Sequence, residues 1–183
     1  MALVYTPDLE LGKMMPDFDL LGVDNKQWNR DKIMGVNGLV VMFICNHCPY
    51  VIYINEEIVN ISTEYQAKGV AFIGISSNDA VNYPQDGPEL MKTHAETTGY
   101  NFPYLYDESQ TVAKAYDAAC TPDFYAFDQA GALAYRGRLD ESRPGNNAPL
   151  TGAELRAALD AILTGGTVSS TQYPSMGCNI KWR

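Results

Sequence analysis

The chain has 183 residues, 46% hydrophobic and 19% charged, with a formal net charge of −9. That length suits one domain, and a core of this size folds without disulfide staples, so the four cysteines are not needed as a framework. The acidic balance argues against nucleic acid and anionic membrane surfaces as partners, since both need clustered Lys and Arg.

The N-terminal stretch "MALVYTPDLELG" has neither a basic segment nor an apolar run. No signal peptide is expected there, and no run of 18 apolar residues predicts a membrane span. The expected location is the cytoplasm, where a Cys-x-x-Cys is more often catalytic, redox or metal-binding than structural.

"PDFDLLGVDNKQWN" resembles a hairpin, with Trp28 as its packing residue. "GLVVMFI", Gly38 to Ile44, is a nearly unbroken apolar run of strand length and predicts a central strand buried on both faces. It leads into "CNHCPY". Val51, Ile54, Ile58, Ile61 and Tyr65 then recur at helical spacing, with Gly69 as the stop. "VAFIGISS" is a second buried strand, which completes a right-handed β-α-β unit.

A polar insert, "NDAVNYPQDG", follows, and then a short helix around "PELMKTHAETTG", whose His94 is expected in solvent. "FPYLYD" is a short strand and part of the core. "SQTVAKAYDAA" predicts a helix capped by Ser109. "DFYAFDQAGALAYRGRLD" predicts a hairpin turning at Asp128 to Gly131. Thr151 with Glu154 forms a capping-box pattern ahead of a last helix. The chain divides into a domain over 1–164 and a tail over 165–183, which Ile180 and Trp182 are expected to dock on the body.

Cys45 and Cys48 carry the chemistry. They stand where a strand hands over to a helix, and ligands of α/β sheets gather at that edge. The first helical turn has unpaired N–H groups and the positive end of the macrodipole, which stabilise a thiolate. On this reading Cys45 is the attacking thiolate, Cys48 resolves, and His47 tunes the pair. Pro49 suits the first helical turn. A structural zinc site needs four ligands, often from two such pairs. This chain has one pair, and Cys120, Cys178, His47 or His94 would have to complete it. No metal is expected, and no organic cofactor is implied, since there is no Gly-rich phosphate loop for the latter.

A Cys-x-x-Cys beside a β-α-β unit resembles the thioredoxin-like superfamily. The stretches "MPDFDLLGVDNKQW", "VVMFICNHCPYV", "GVAFIGISSND", "YLYDESQTVAKAYDAACTPDFYAFDQAGALAYRGRLD" and "PSMGCNIKW" narrow this. They are similar to the alkyl hydroperoxide reductase/thiol-specific antioxidant branch, nearest to peroxiredoxin-like proteins with Cys-Asn-His-Cys-Pro. The resemblance implies an α/β fold of three layers, a central mixed sheet with flanking helices and an added N-terminal hairpin. It also implies a cis-proline at Pro122, after Thr121, which shapes the substrate groove with Pro49 and Tyr50.

Peroxiredoxins place a threonine three residues before the reactive cysteine. Here Met42 precedes Cys45 at that spacing, and Cys45 precedes Cys48. Arg136 or Arg138 would have to supply the cation that orients a peroxide. The expected activity is therefore thiol-disulfide oxidoreduction through a mixed disulfide, with thiol-dependent peroxidase activity as the alternative. A non-enzymatic partner- or metal-binding module is the third reading. The expected partners are a protein or small-molecule disulfide or peroxide, and a thiol reductant or reductase. Cys120 and Cys178 are possible additional thiols.

Overall fold

A computed structural model describes residues 3–7 and 10–183. Its centre is the apolar run after Gly38, which forms strand β4 (Leu39–Phe43), every residue of it buried. A five-residue stretch with no polar position can only sit between two layers. Val40 and Met42 enter one core, while Leu39, Val41 and Phe43 enter the other, as the two-residue period of a strand requires.

In chain order the elements begin with β1 (Leu3–Tyr5), β2 (Asp19–Gly22), β3 (Gln27–Asn29) and the single turn α1 (Arg30–Ile33). After β4 come α2 (Pro49–Gln66), β5 (Ala71–Ser76), α3 (Pro88–Thr98), β6 (Tyr104–Tyr106) and α4 (Thr111–Ala115). The chain ends with β7 (Cys120–Thr121), β8 (Asp123–Phe127), β9 (Leu133–Gly137), α5 (Ala153–Thr164) and β10 (Met176–Asn179).

Seven strands form one sheet in the order β3-β2-β6-β5-β4-β8-β9. β4, β5 and β6 are parallel, and β8 and β9 add antiparallel on one side. The hairpin β2–β3 closes the other side through β6. Helix α2 presses Val51, Ile54, Ile58, Ile61 and Tyr65 into the first core, where Leu155, Ala158 and Leu159 of α5 meet them. Val112 and Ala113 of α4 face the second core. This is the thioredoxin-like arrangement, a mixed sheet between helical layers.

A second, three-stranded sheet runs β1-β10-β7. It carries the tail back over the start of α2. Ile180 is buried, whereas Trp182 is 42% exposed beneath the Lys114 ammonium.

Two expected caps are corrected. The residue at the N-cap of α4 is Gln110 rather than Ser109, although the Ser109 hydroxyl still accepts from the Thr111 N–H, and that of α5 is Gly152; neither N-cap residue makes a side-chain cap bond. At α5 the Asp140 carboxylate, arriving from outside the helix, accepts from the Thr151 and Gly152 N–H groups. Glu154 is then released to pair with Arg138.

Candidate active site

Pro49 begins α2, so Cys48 is its N-cap. Cys45 follows the end of β4 by two residues. Both side chains are buried. The Thr121–Pro122 peptide bond is cis and lies against them. Thr121 Oγ1 is 3.5 Å from Cys45 Sγ, and its carbonyl oxygen lies 3.2 Å from Cys48 Sγ.

The tail adds a third sulfur, Cys178 Sγ, 2.8 Å from Cys48 Sγ. Cys120 points elsewhere. Its sulfur is 3.7 Å from Thr6 Oγ1, and burial pushes its thiol up.

The two thiols of the pair are shifted in opposite directions. Hydrogen bonding from Cys45 pulls the Cys48 thiol down to about 5, helped by Cys178 and the Thr121 hydroxyl and opposed by burial. The start of α2 favours the same ion. Cys45, donating to Cys48, buried and facing the Asp86 carboxylate, keeps its proton well above the ordinary thiol range. Burial and the bond to Cys48 push Cys178 up to about 12.

Asp86 is the functional candidate that sequence reasoning missed. It sits in the polar insert on a 3-10 turn, Pro84–Asp86, and is fully buried. Its Oδ1 accepts from the Asn46 N–H at 2.9 Å, and its Oδ2 from Asn78 Nδ2 at 2.8 Å. His47 Nδ1 is 2.5 Å from Oδ2. Burial pushes this carboxyl up, but His47 and Asn78 hold it below the usual carboxylate range. Tyr83 stacks on the His47 ring at 5.9 Å, and Tyr104 donates to Asn46 Oδ1. The Cys-x-x-Cys turn is thus clamped by a distant loop.

Cys45, His47 and Asp86 each bring one potential ligand atom within 4.8 Å of the others. The imidazole and carboxylate contact each other directly, which is closer than two ligands of one zinc stand when each lies about 2 Å from the metal. This trio is therefore arranged for mutual pairing rather than for a shared ion.

A groove of about 180 Å³ is lined by Tyr50, Tyr53, Pro122, Tyr173 and Met176, chain neighbours of the site among them. Pro122 and Tyr50 thus reach it, while Thr121 stays at the sulfurs and Pro49 stays in the first turn of α2. Arg138 also lines this groove, over the Tyr173 ring, whereas Arg136 does not. Arg136 is buried against Asp123, the Asp117 carbonyl and the Pro7 carbonyl, and Arg138 forks onto Glu154. His94 is not in solvent. It packs against Tyr100 and Asn55, and burial lowers its pKa.

Fold and site together define a thioredoxin-like thiol protein with a paired-cysteine centre. The AhpC/TSA family model matches residues 11–136, and the chain belongs to that family. It is similar to an uncharacterized conserved protein from Geobacillus kaustophilus, at 52% identity and a TM-score of 0.98 over 100% of this chain and 97% of that one. A hypothetical protein from Sinorhizobium meliloti 1021 shows 43% identity and a TM-score of 0.96 over 98% of each chain. A thiol-disulfide oxidoreductase from Bacteroides fragilis shares the fold at 21% identity and a TM-score of 0.60, over 70% of this chain and 93% of that one. No curated protein matches the chain. Among the described residues, no helix is long and apolar enough to cross a membrane.

Proposed function

We propose that the protein is a thiol-disulfide oxidoreductase that cycles Cys45 and Cys48 between dithiol and disulfide. The observation that carries this is the placement of Cys48 at the N-cap of α2 with Cys45 three residues before it, both against the cis Thr121–Pro122 bond, and with Cys48 brought down to about 5. Only a thiolate attacks a disulfide, and at neutral pH Cys48 is the charged member.

Cys48 attacks one sulfur of the substrate disulfide. A Cys48–substrate disulfide forms, and the other substrate sulfur leaves and takes a proton. Cys45 then attacks Cys48 Sγ and gives its own proton to the departing substrate thiolate. The protein leaves this step with a Cys45–Cys48 disulfide and two electrons fewer. A small thiol or a reductase returns them. Asp86 and His47 are positioning residues that hold the turn between the two cysteines. Tyr50 and Pro122 supply the apolar wall of the groove. The reading places the protein in a reducing compartment such as the cytoplasm.

Turnover of hydroxyethyl disulfide and of insulin, with a dithiol as reductant, tests the proposal. Cys48→Ser is expected to abolish turnover, and Cys45→Ser combined with Cys178→Ser to stop the cycle at a mixed disulfide visible by mass. Full turnover in Cys48→Ser defeats the reading.

A second reading is favoured by one observation, the complete burial of the low-pKa sulfur of Cys48. A hydroperoxide is small enough for such a site. It would oxidise Cys48 to a sulfenic acid, which Cys45 resolves with loss of water. Peroxide consumption that outpaces disulfide turnover selects this reading.

A further inference from the structure

The backbone edge next to the thiols is already occupied. Strand β10 lies antiparallel on β7, with Cys178 opposite Thr121 and Asn179 opposite Cys120. On its other side it pairs with β1, Leu3 opposite Cys178. The Ile180 N–H donates to the Ala119 carbonyl, and the Lys181 N–H to Asn78 Oδ1 at 2.8 Å. Gly177 permits this approach, because a Cβ there would run into the Thr121 carbonyl. This register sets Cys178 Sγ 2.8 Å from Cys48 Sγ. The gap is less than 1 Å longer than a disulfide bond of about 2.05 Å.

We propose that Cys178 is a second resolving thiol for Cys48, so that the oxidised protein carries a Cys48–Cys178 disulfide that anchors strand β10 to the start of α2. The proposal rests on the reading of Cys48 as the redox thiolate. Two routes lead to the bond. From a Cys48–substrate disulfide, Cys178 attacks Cys48 Sγ. The bond to the substrate sulfur breaks, the Cys48–Cys178 bond forms, and the substrate thiolate leaves with the Cys178 proton. The substrate disulfide is the oxidant here, and the protein loses two electrons.

From a Cys45–Cys48 disulfide, Cys178 attacks the same sulfur and Cys45 leaves. One S–S bond breaks and one forms, with no net redox change. The Cys178 proton passes to Cys45, whose thiol holds protons tightly in this setting. Cys48 is the hub in both routes, and Cys45 and Cys178 are alternative partners.

Tryptic mapping distinguishes the bonds. Cys45 and Cys48 share the peptide Ile33–Lys68, Cys178 lies in Ala157–Lys181, and Cys120 lies in Ala115–Arg136. The reduced full-length protein is oxidised with hydroxyethyl disulfide, blocked with N-ethylmaleimide and digested without reductant. The expected result is a linked Ile33–Lys68/Ala157–Lys181 species in the wild type and in Cys45→Ser, with matching loss of maleimide label from Cys178. In Cys48→Ser the link is absent and Cys178 is fully labelled.

Fragmentation between Asn46 and His47 assigns the link to Cys48 in the wild type, independently of how either variant folds. A link assigned to Cys45 overturns the proposal. So does full labelling of Cys178 while a Cys45–Cys48 disulfide forms, a result that leaves the proposed function standing. If neither disulfide forms, both fall.

Discussion

At the scale of single residues, the proposed thiolate at Cys48 follows from Pro49. Its fixed φ and missing N–H make it a first-turn residue, so the residue before it takes the N-cap. That signal was present in the sequence and points to Cys48. Asp86 was not legible in the same way, because its partners Asn46 and His47 lie some forty positions away and only the folded chain brings them together. Asp86→Asn keeps an acceptor for Asn46 but removes the negative charge facing Cys45. The Cys45 thiol is then expected to ionise at lower pH, and resolution of the mixed disulfide, followed by stopped flow, should reach its plateau at lower pH. A uniform loss of rate at every pH would mean that Asp86 only supports the turn. Arg136 gives the opposite lesson, since an arginine that spacing offers to a peroxide is spent on a buried pair with Asp123. Arg136→Met is expected to cost about 3–5 kcal/mol in urea unfolding, because it strands a buried acid. Its thiol chemistry in the folded state should be unchanged.

At the scale of elements, the β4-α2-β5 unit was readable because its signals are local and strong, a two-sided apolar strand and a 3.6-residue stripe. The helix caps were not, because the Asp140 carboxylate takes over at Thr151 and Gly152 from outside the helix, where no local pattern records it. Strand β10 was visible only as a tail with apolar residues. Four residues with Gly177 in their midst have little strand preference, and it is pairing with β1 and β7 that makes them a strand. The same glycine makes the element testable. Gly177→Val forces β10 away from the Thr121 carbonyl, at an expected cost of about 1–3 kcal/mol by thermal or urea melting. With the edge between Cys120 and Thr121 uncovered, Cys48 should alkylate faster at neutral pH. Turnover of insulin should rise relative to hydroxyethyl disulfide, since an extended chain can now pair there. Unchanged alkylation would show that β10 does not limit access to the sulfur.

At the scale of the whole molecule, the site and the stability of the fold are linked through one proton. In an unfolded chain Cys48 would titrate near 8.5, an ordinary cysteine value. In the folded chain its hydrogen bonds pull that value down to about 5. Between those values the unfolded state binds more protons than the folded one, so stability rises with pH. A depressed folded value stabilises fully above the unfolded value, and the benefit is lost as pH falls through the folded value. Cys45 and Cys178, whose thiols are pushed up, stay protonated across that window and drop out. The difference in unfolding free energy between reduced wild type and Cys48→Ser isolates the term. It should grow by up to about 1.4 kcal/mol per pH unit between pH 5 and 8 and be flat below pH 5. Urea unfolding in a phosphine reductant at unit pH steps measures it. The same linkage bears on function, because whatever stabilises the Cys48 thiolate stabilises the reduced protein and makes its disulfide the more oxidising. A difference that stays level from pH 5 to 8 would remove the thiolate from the resting site, and with it the reason for three sulfurs to converge on one helix N-terminus.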